Sequence, residues 1–289
     1  MTSVLITGAN GFIARHLAKI LKQEGMHTVG ISRKTSRICC FDKIYKAYLG
    51  ESLKGVFEKE TIDVAVHCAH HGGKKEFETN RNGTILWMEE ARAHGVELQV
   101  FLSSLLAKTD ALSDYGRVKF ELEKQFVSAH QVVYRPGLVV GDGGMFGKMK
   151  KSIQKLPVVP LLDKGKTKVY VTGIEFLCYV TRDCILNKGE GFRGKAWPIQ
   201  QPSAYTLREV MMSIRRQFRY SCWFLPVPSS LVLRFLLVVE KLPFFQLNIR
   251  STNLKGLKQS GQEDPRSDFD MFGYPEEGLD ELVKKIGDW

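Results

Sequence analysis

The run Val4-Leu5-Ile6-Thr7-Gly8-Ala9-Asn10-Gly11-Phe12-Ile13-Ala14 leaves this chain few folds to choose from. A short apolar strand passes at once into Gly8-x-x-Gly11-x-x-Ala14. Gly8 can take backbone angles closed to other residues. Gly11 leaves room for a pyrophosphate against the backbone, and Ala14 keeps the following helix close to the strand. That helix is predicted from about Gly11 to Lys22, with Phe12, Leu17, Ile20 and Leu21 on its apolar side. Its N-terminus offers unpaired N–H groups and a partial positive charge to a phosphate. Thr7, Gly8, Asn10, Gly11, Phe12 and Ile13 are therefore candidate dinucleotide-binding residues. Strand–helix alternation continues to about Gly141, which predicts an α/β fold: a Rossmann-like, doubly wound parallel sheet.

The second strand reads His27-Thr28-Val29-Gly30-Ile31. NAD-binding versions often end this strand with an acidic residue that bonds the ribose hydroxyls. Here the position is Ser32, followed by Arg33 and Lys34, with Arg37 nearby. A carboxylate would repel a 2′-phosphate; this sequence lacks it and adds cations, and a guanidinium can bond phosphate through two N–H groups. NADP(H) is the expected cofactor and NAD(H) the alternative. A plain solvated turn would read the same way locally.

The stretch Glu97 to Ser104 reads as a strand ending in two hydroxyls, Ser103 and Ser104. Tyr115-Gly116-Arg117-Val118-Lys119 follows on a predicted helix. Residues four apart share one helix face. An ammonium beside a phenol favours the phenolate, so Lys119 is expected to lower the Tyr115 pKa. Such a Tyr moves the proton of an alcohol or ketone while hydride moves to or from a nicotinamide. Ser104 is expected to bond the same oxygen. Tyr-x-x-x-Lys alone is a weak signal; downstream of Ser-Ser and of a glycine turn it is a strong one.

With these motifs in order, the sequence resembles the extended short-chain dehydrogenase/reductases, which include nucleotide-sugar epimerases, dehydratases and 4-ketoreductases. The matches are Thr7-Gly8-x-x-Gly11-x-x-Ala14, Asp63 to Ala69, Asn80-Arg81-Asn82-Gly83-Thr84, Phe101 to Ser104, Tyr115-x-x-x-Lys119 and Tyr134 to Gly141. The resemblance implies that Tyr115 is the acid/base, that Lys119 also bonds the nicotinamide ribose, and that Ser104 is the hydroxyl partner. It implies that His67, Cys68 and Ala69 line the cofactor and that Asn80 braces the site. It extends cofactor contact to Ser103, Arg135, Pro136 and Gly137. A dehydratase commonly carries an Asp-Glu pair after the strand-end hydroxyl; Leu105 and Leu106 stand there instead. That leaves reduction of a keto group on a nucleotide-activated sugar, with an NAD-dependent 4-epimerase as the alternative. A homodimer is also implied.

Two regions are expected: residues 1–145 as the dinucleotide-binding part, and 146–289 completing the sheet and forming a small, discontinuous substrate lobe. Gly141 to Gly147 reads as a flexible loop, with Met145 and Phe146 as candidate substrate contacts. Lys148, Lys150, Lys151 and Lys155 lie on a helical stretch and face either solvent or a diphosphate. Strands are predicted near Lys168–Val171 and Trp197–Ile199, and helices near 175–186, after Thr206 with a cap, and at 276–286. The apolar run 229–247 carries Arg234, Glu240 and Lys241, so it is too short and too charged to span a bilayer. It is expected to pack against the lobe, with a peripheral membrane contact as the lesser alternative. Its Pro-x-Pro entry also resembles accessory subunits of respiratory complex I, which keeps a non-catalytic dinucleotide-binding role open.

Composition is that of an ordinary globular protein, 44% hydrophobic and 25% charged over 289 residues. The formal charge of +11 suits an anionic ligand. No nucleic-acid motif accompanies it, so nucleic acid is not an expected partner. Six cysteines show no paired metal spacing, and no metal is expected from them or from His70-His71. Reduced thiols and the lack of a leader before the first strand read as cytoplasmic.

Overall fold

The computed structural model describes residues 1–34, 40–73, 75–228, 230 and 269–286. Arg37 and all of the 229–247 run except Ser230 lie outside the described residues. The first half alternates as β1 (Ser3–Thr7), α1 (Phe12–Gln23), β2 (His27–Ser32), β3 (Lys43–Lys46), α2 (Lys54–Phe57), β4 (Val64–His67), α3 (Glu76–Ala93), β5 (Leu98–Leu102), α4 (Asp114–Ser128) and β6 (Val132–Pro136). Then come β7 (Leu138–Val140), α5 (Gly144–Lys155), β8 (Val158–Leu162), β9 (Lys168–Gly173), α6 (Ile174–Leu186), β10 (Ala196–Ile199), β11 (Ala204–Thr206), α7 (Leu207–Gln217), β12 (Trp223–Val227) and α8 (Leu279–Lys284).

Seven strands form one parallel sheet in the order β10-β6-β5-β4-β1-β2-β3. Strand order reverses between β1 and β4, and ligands bind outside the carboxyl ends of strands at such a switch point. The strands are apolar on both faces because both faces are covered. Val4 and Ile6 of β1, with Val64, Val66, Val100 and Leu102, meet Leu17 and Leu21 of α1 and Leu177 and Val180 of α6. The residues between them point the other way: Leu5 and Ala65 pack with Trp87 and Ala91 of α3, and Phe101 with Val118 and Phe126 of α4.

The last strand of this sheet, β10, comes from the second half of the chain. The remaining strands make a three-stranded sheet, β11-β9-β7, and a parallel pair, β12-β8. Phe146, Leu161, Val171, Val210, Ile214 and Val283 join these with α5, α7 and α8 in a second core. The expected cap at Thr206 is a full capping box with Glu209.

Three local expectations are corrected. Gly144 to Gly147 is not loop but the first turn of α5, and Phe146 is fully buried in the second core, so it cannot touch a substrate. The glycines serve packing instead: a Cβ on Gly141 or Gly143 would collide with the Phe12 side chain. The closing helix starts only at Leu279, because Gly278 holds extended angles at its N-terminus.

Candidate active site

Three neighbouring strand ends, β1, β4 and β5, bring the glycine turn, Cys68-Ala69 and Ser103-Ser104 to one edge. Gly8 has φ +73°, and a Cβ there would lie 2.9 Å from the Ala69 Cα. The turn closes through Gly11 N–H donating to the Gly8 carbonyl at 2.7 Å. Thr7 is buried, and its Oγ1 accepts from the N–H groups of Cys68 and Ala69, both at 3.1 Å. Thr7 thus locks the two strand ends together rather than projecting outward. No side chain caps the N-terminus of α1 at Gly11, which leaves its first-turn N–H groups to a ligand or solvent. Ile13 is half-buried on the first turn of α1, and Phe12 lies against Gly141 and Gly143. This bare helix end beyond a left-handed glycine fits a pyrophosphate.

At the end of β2, Asn10 Nδ2 donates to Ser32 Oγ and, at 3.2 Å, to the Lys34 carbonyl. Ser32 Oγ also accepts from the Lys34 N–H at 3.3 Å. The glycine turn is thereby tied to the residues expected to sort NADP(H) from NAD(H). Arg33 and Lys34 are exposed.

Tyr115 and Lys119 stand one turn apart on α4, which begins after Ser113, whose side chain caps the helix by accepting from Gly116 N–H. A Cβ on Gly116 would collide with the Leu106 carbonyl oxygen, so glycine lets the loop after β5 press against the helix. That close approach brings Ser104 to Tyr115, and the two hydroxyls share a hydrogen bond. Ser104 Oγ also accepts from the Leu106 N–H at 3.2 Å.

The electrostatics differ from the sequence expectation. Burial pushes the Tyr115 phenol above its ordinary value, and the Ser104 hydrogen bond only partly opposes this. Lys119 is itself buried, which lowers its pKa to about 8, and its Nζ donates to the Leu102 carbonyl at 2.5 Å. The ammonium sits 4.5 Å from the Phe101 ring centroid and 5.9 Å from that of Tyr115. It is close to Tyr115, but burial is the largest influence on the phenol and raises it, so the expected lowering is absent.

Other expected site residues fall into three groups. Asn80 bonds the backbone of the loop after β4: its Oδ1 accepts from His71 N–H at 2.8 Å, and its Nδ2 donates to the carbonyls of His71 at 2.8 Å and Glu76 at 2.6 Å. Cys68 sits at the strand end, its thiol pushed up to about 12 by burial. Ser103 lies in the same edge, with its Oγ buried and unpartnered.

His67, Arg135 and Gly137 each have protein partners of their own. His67 lies two residues beyond Ala65, so its ring points into the α3–α4 layer. There it meets Phe126 and shares a 2.9 Å hydrogen bond with Gln99 Oε1. Burial lowers it to about 4, so it is a neutral core residue. Arg135 is held by Glu123 through Nε at 2.9 Å and Nη2 at 2.6 Å. Gly137 lets β9 come close: a Cβ there would collide with the Tyr170 carbonyl. Pro136 is buried between them, its carbonyl accepting from Leu105 N–H at 3.2 Å.

Two residues of the site, His70 and Glu76, carry no motif that marks them in the sequence. His70 sets its ring edge-on to Tyr115, centroids 4.9 Å apart, and its Nε2 is 2.9 Å from Glu76 Oε1. The available signal is position: His70 follows β4, the strand beside the one that carries Ser104. Among the described residues no three potential metal ligands converge. Nor is any described helix long and apolar enough to cross a membrane.

The glycine turn, the β4 end and the Tyr-x-x-x-Lys helix carry a family signature: residues 4–136 match the model of the NAD dependent epimerase/dehydratase family. That match spans a little under half of the chain and is what this part of it is similar to. Solved structures extend the likeness in fold to the whole chain. The UDP-glucose 4-epimerase of Thermotoga maritima, solved with UDP-glucose, shares 14% identity with a TM-score of 0.73, over 98% of this chain and 97% of its own. The dTDP-glucose 4,6-dehydratase of Bacillus anthracis, in complex with NAD, shares 15% with a TM-score of 0.74, over 100% and 96%. The UDP-glucose 4-epimerase of Bifidobacterium longum, in complex with NAD+ and UDP, shares 16% with a TM-score of 0.73, over 98% and 96%. No curated protein sequence matches the chain closely enough to count as a relative.

Proposed function

We propose that this chain is an NADP(H)-dependent oxidoreductase that reduces a keto group of a nucleotide-activated sugar. The observation that carries the reading is the cluster of buried Ser104 and Lys119 with half-buried Tyr115 beside the glycine turn. A bound nicotinamide dinucleotide supplies the hydride. Gly8, Gly11 and the uncapped start of α1 hold the pyrophosphate, and Thr7 keeps Cys68 and Ala69 against that turn. Lys119 holds a ribose hydroxyl of the dinucleotide. Tyr115 gives its proton to the carbonyl oxygen, and Ser104 bonds the same oxygen as charge develops on it. The residues beyond 145 form the substrate lobe, with the exposed Met145 and the lysines of α5 nearest in sequence to the joint. Lys150 is already held by Asp142 at 2.6 Å, whereas Lys148, Lys151 and Lys155 are exposed and available to an anion.

The NADP(H) preference rests on Ser32 in place of a carboxylate and on the exposed cations Arg33 and Lys34. Arg33→Asp is expected to lower NADPH affinity about tenfold or more and to place it below NADH affinity. Equilibrium titration of both dinucleotides checks this; an unchanged order of affinities overturns the cofactor reading. A second reading, an NAD-dependent 4-epimerase, is favoured by the whole-chain likeness to UDP-glucose 4-epimerases. The absence of an acid pair after Ser104, where Leu105 is buried and Leu106 is half-buried, opposes dehydration.

A further inference from the structure

The parallel pair β12-β8 stands apart from the two larger sheets. Its register sets Trp223 opposite Val158 and Leu225 opposite Pro160. Alternation sends Val159, Leu161 and Phe224 towards the second core, so the residues between them point outward. There Trp223 is 79% exposed, Leu225 55% and Val158 47%. Leu156, two residues before Val158 in extended backbone, is 46% exposed. Pro160 is exposed among them. Single exposed apolar residues are ordinary, but a contiguous set along two paired strands marks an interaction surface.

What borders and interrupts this face selects its partner. Pro157, Pro160, Pro226 and Pro228 lie in or beside the two strands and lack N–H donors, which opposes the addition of a peptide as a third strand. The exposed charges beside the face are cations: Lys164 and Lys166 after β8, and Arg219 ahead of β12. The turn that carries Lys164 packs against β12. Half-buried Asp163 is the acid among them. Two copies of the chain meeting through this face would bring like charges together, which opposes self-association. An indole with aliphatic neighbours and a cationic border matches the boundary between acyl chains and anionic headgroups.

We propose that the outer face of β8 and β12 docks on an anionic lipid bilayer. Trp223 and Leu225 enter the headgroup boundary, and Lys164, Lys166 and Arg219 meet the lipid phosphates. The contact is peripheral: no described helix is long and apolar enough to cross a bilayer. It does not depend on the reductase reading, because none of these residues belongs to the Ser104, Tyr115 and Lys119 cluster.

The test sediments the full chain with vesicles of phosphatidylcholine alone and of phosphatidylcholine mixed with phosphatidylglycerol. The protein is expected to sediment with the mixed vesicles, to stay in solution with the neutral ones, and to be released as salt rises. Trp223→Ser with Leu225→Ser is expected to weaken binding about tenfold or more. Lys164→Glu with Lys166→Glu is expected to weaken it by about the same factor. All four positions are exposed, and unchanged urea midpoints show the variants to be folded. Brominated lipid in the mixed vesicles is expected to quench tryptophan emission of the wild type and much less that of Trp223→Phe. Failure to sediment with the mixed vesicles overturns the proposal, and so does equal binding by the serine variant. Two further results overturn it by naming another occupant. A dimer that the serine variant dissociates makes the face a contact between copies. A Trp223 shielded from acrylamide in the free protein means that the chain's own residues cover it, the apolar run 229–247 being next in sequence.

Discussion

Tyr115→Phe is expected to lower turnover by about 10²- to 10⁴-fold while leaving dinucleotide affinity nearly unchanged. The ring stays: it keeps its edge contact with His70 and its place one turn from Lys119. Only the hydroxyl that shares a hydrogen bond with Ser104 is lost. Steady-state kinetics on a keto sugar, paired with NADPH titration, separates the two quantities. A non-catalytic dinucleotide-binding protein would lose neither, so equal rates for the two proteins would remove the enzyme reading altogether.

Arg135→Ala is expected to destabilise the fold by about 3–5 kcal/mol. Glu123 exposes only 4% of its side chain and is met by two guanidinium nitrogens. Truncating Arg135 leaves that carboxylate buried without its cation. Equilibrium urea unfolding measures the loss, and adding Glu123→Leu should recover much of it, because the double variant no longer buries a lone charge. NADPH affinity of the folded Arg135→Ala protein should be close to that of the wild type. A large loss of affinity with little loss of stability would restore Arg135 to the cofactor site that its Arg-Pro-Gly motif suggested.

These two residues show why one part of the site can be read from the sequence and another cannot. Tyr115 and Lys119 are four apart on one helix, and Gly8 and Gly11 sit within one turn, so short-range geometry alone brings each set together. The alternating faces of the parallel strands follow from the same local rule. Applied to Ala65 and His67, that rule by itself places the histidine in the α3–α4 layer, where it meets Phe126.

Contacts between separate elements carry no such signature. Glu123 meets Arg135 across a helix and a strand, and Phe12 meets Gly141 and Gly143 from the far end of the nucleotide-binding half. The glycines of that segment look like a mobile loop in sequence, although their missing side chains make room for a phenylalanine ring. The Tyr115 electrostatics differ from expectation for a related reason. Helical spacing places Lys119 near the phenol, but it cannot show that the Leu102 carbonyl accepts from the ammonium, or that burial of the phenol dominates its pKa.

The most direct test of the central claim is to denature freshly purified protein and identify any released nucleotide by mass spectrometry, followed by titration of the refilled or empty protein with NADPH and NADH. The account predicts NADP(H), or a site that takes NADPH in preference to NADH. Stoichiometric, tightly retained NAD+ would contradict it, because it would mark an enzyme that recycles its own cofactor, as an epimerase does, and would overturn the reading of Ser32, Arg33 and Lys34.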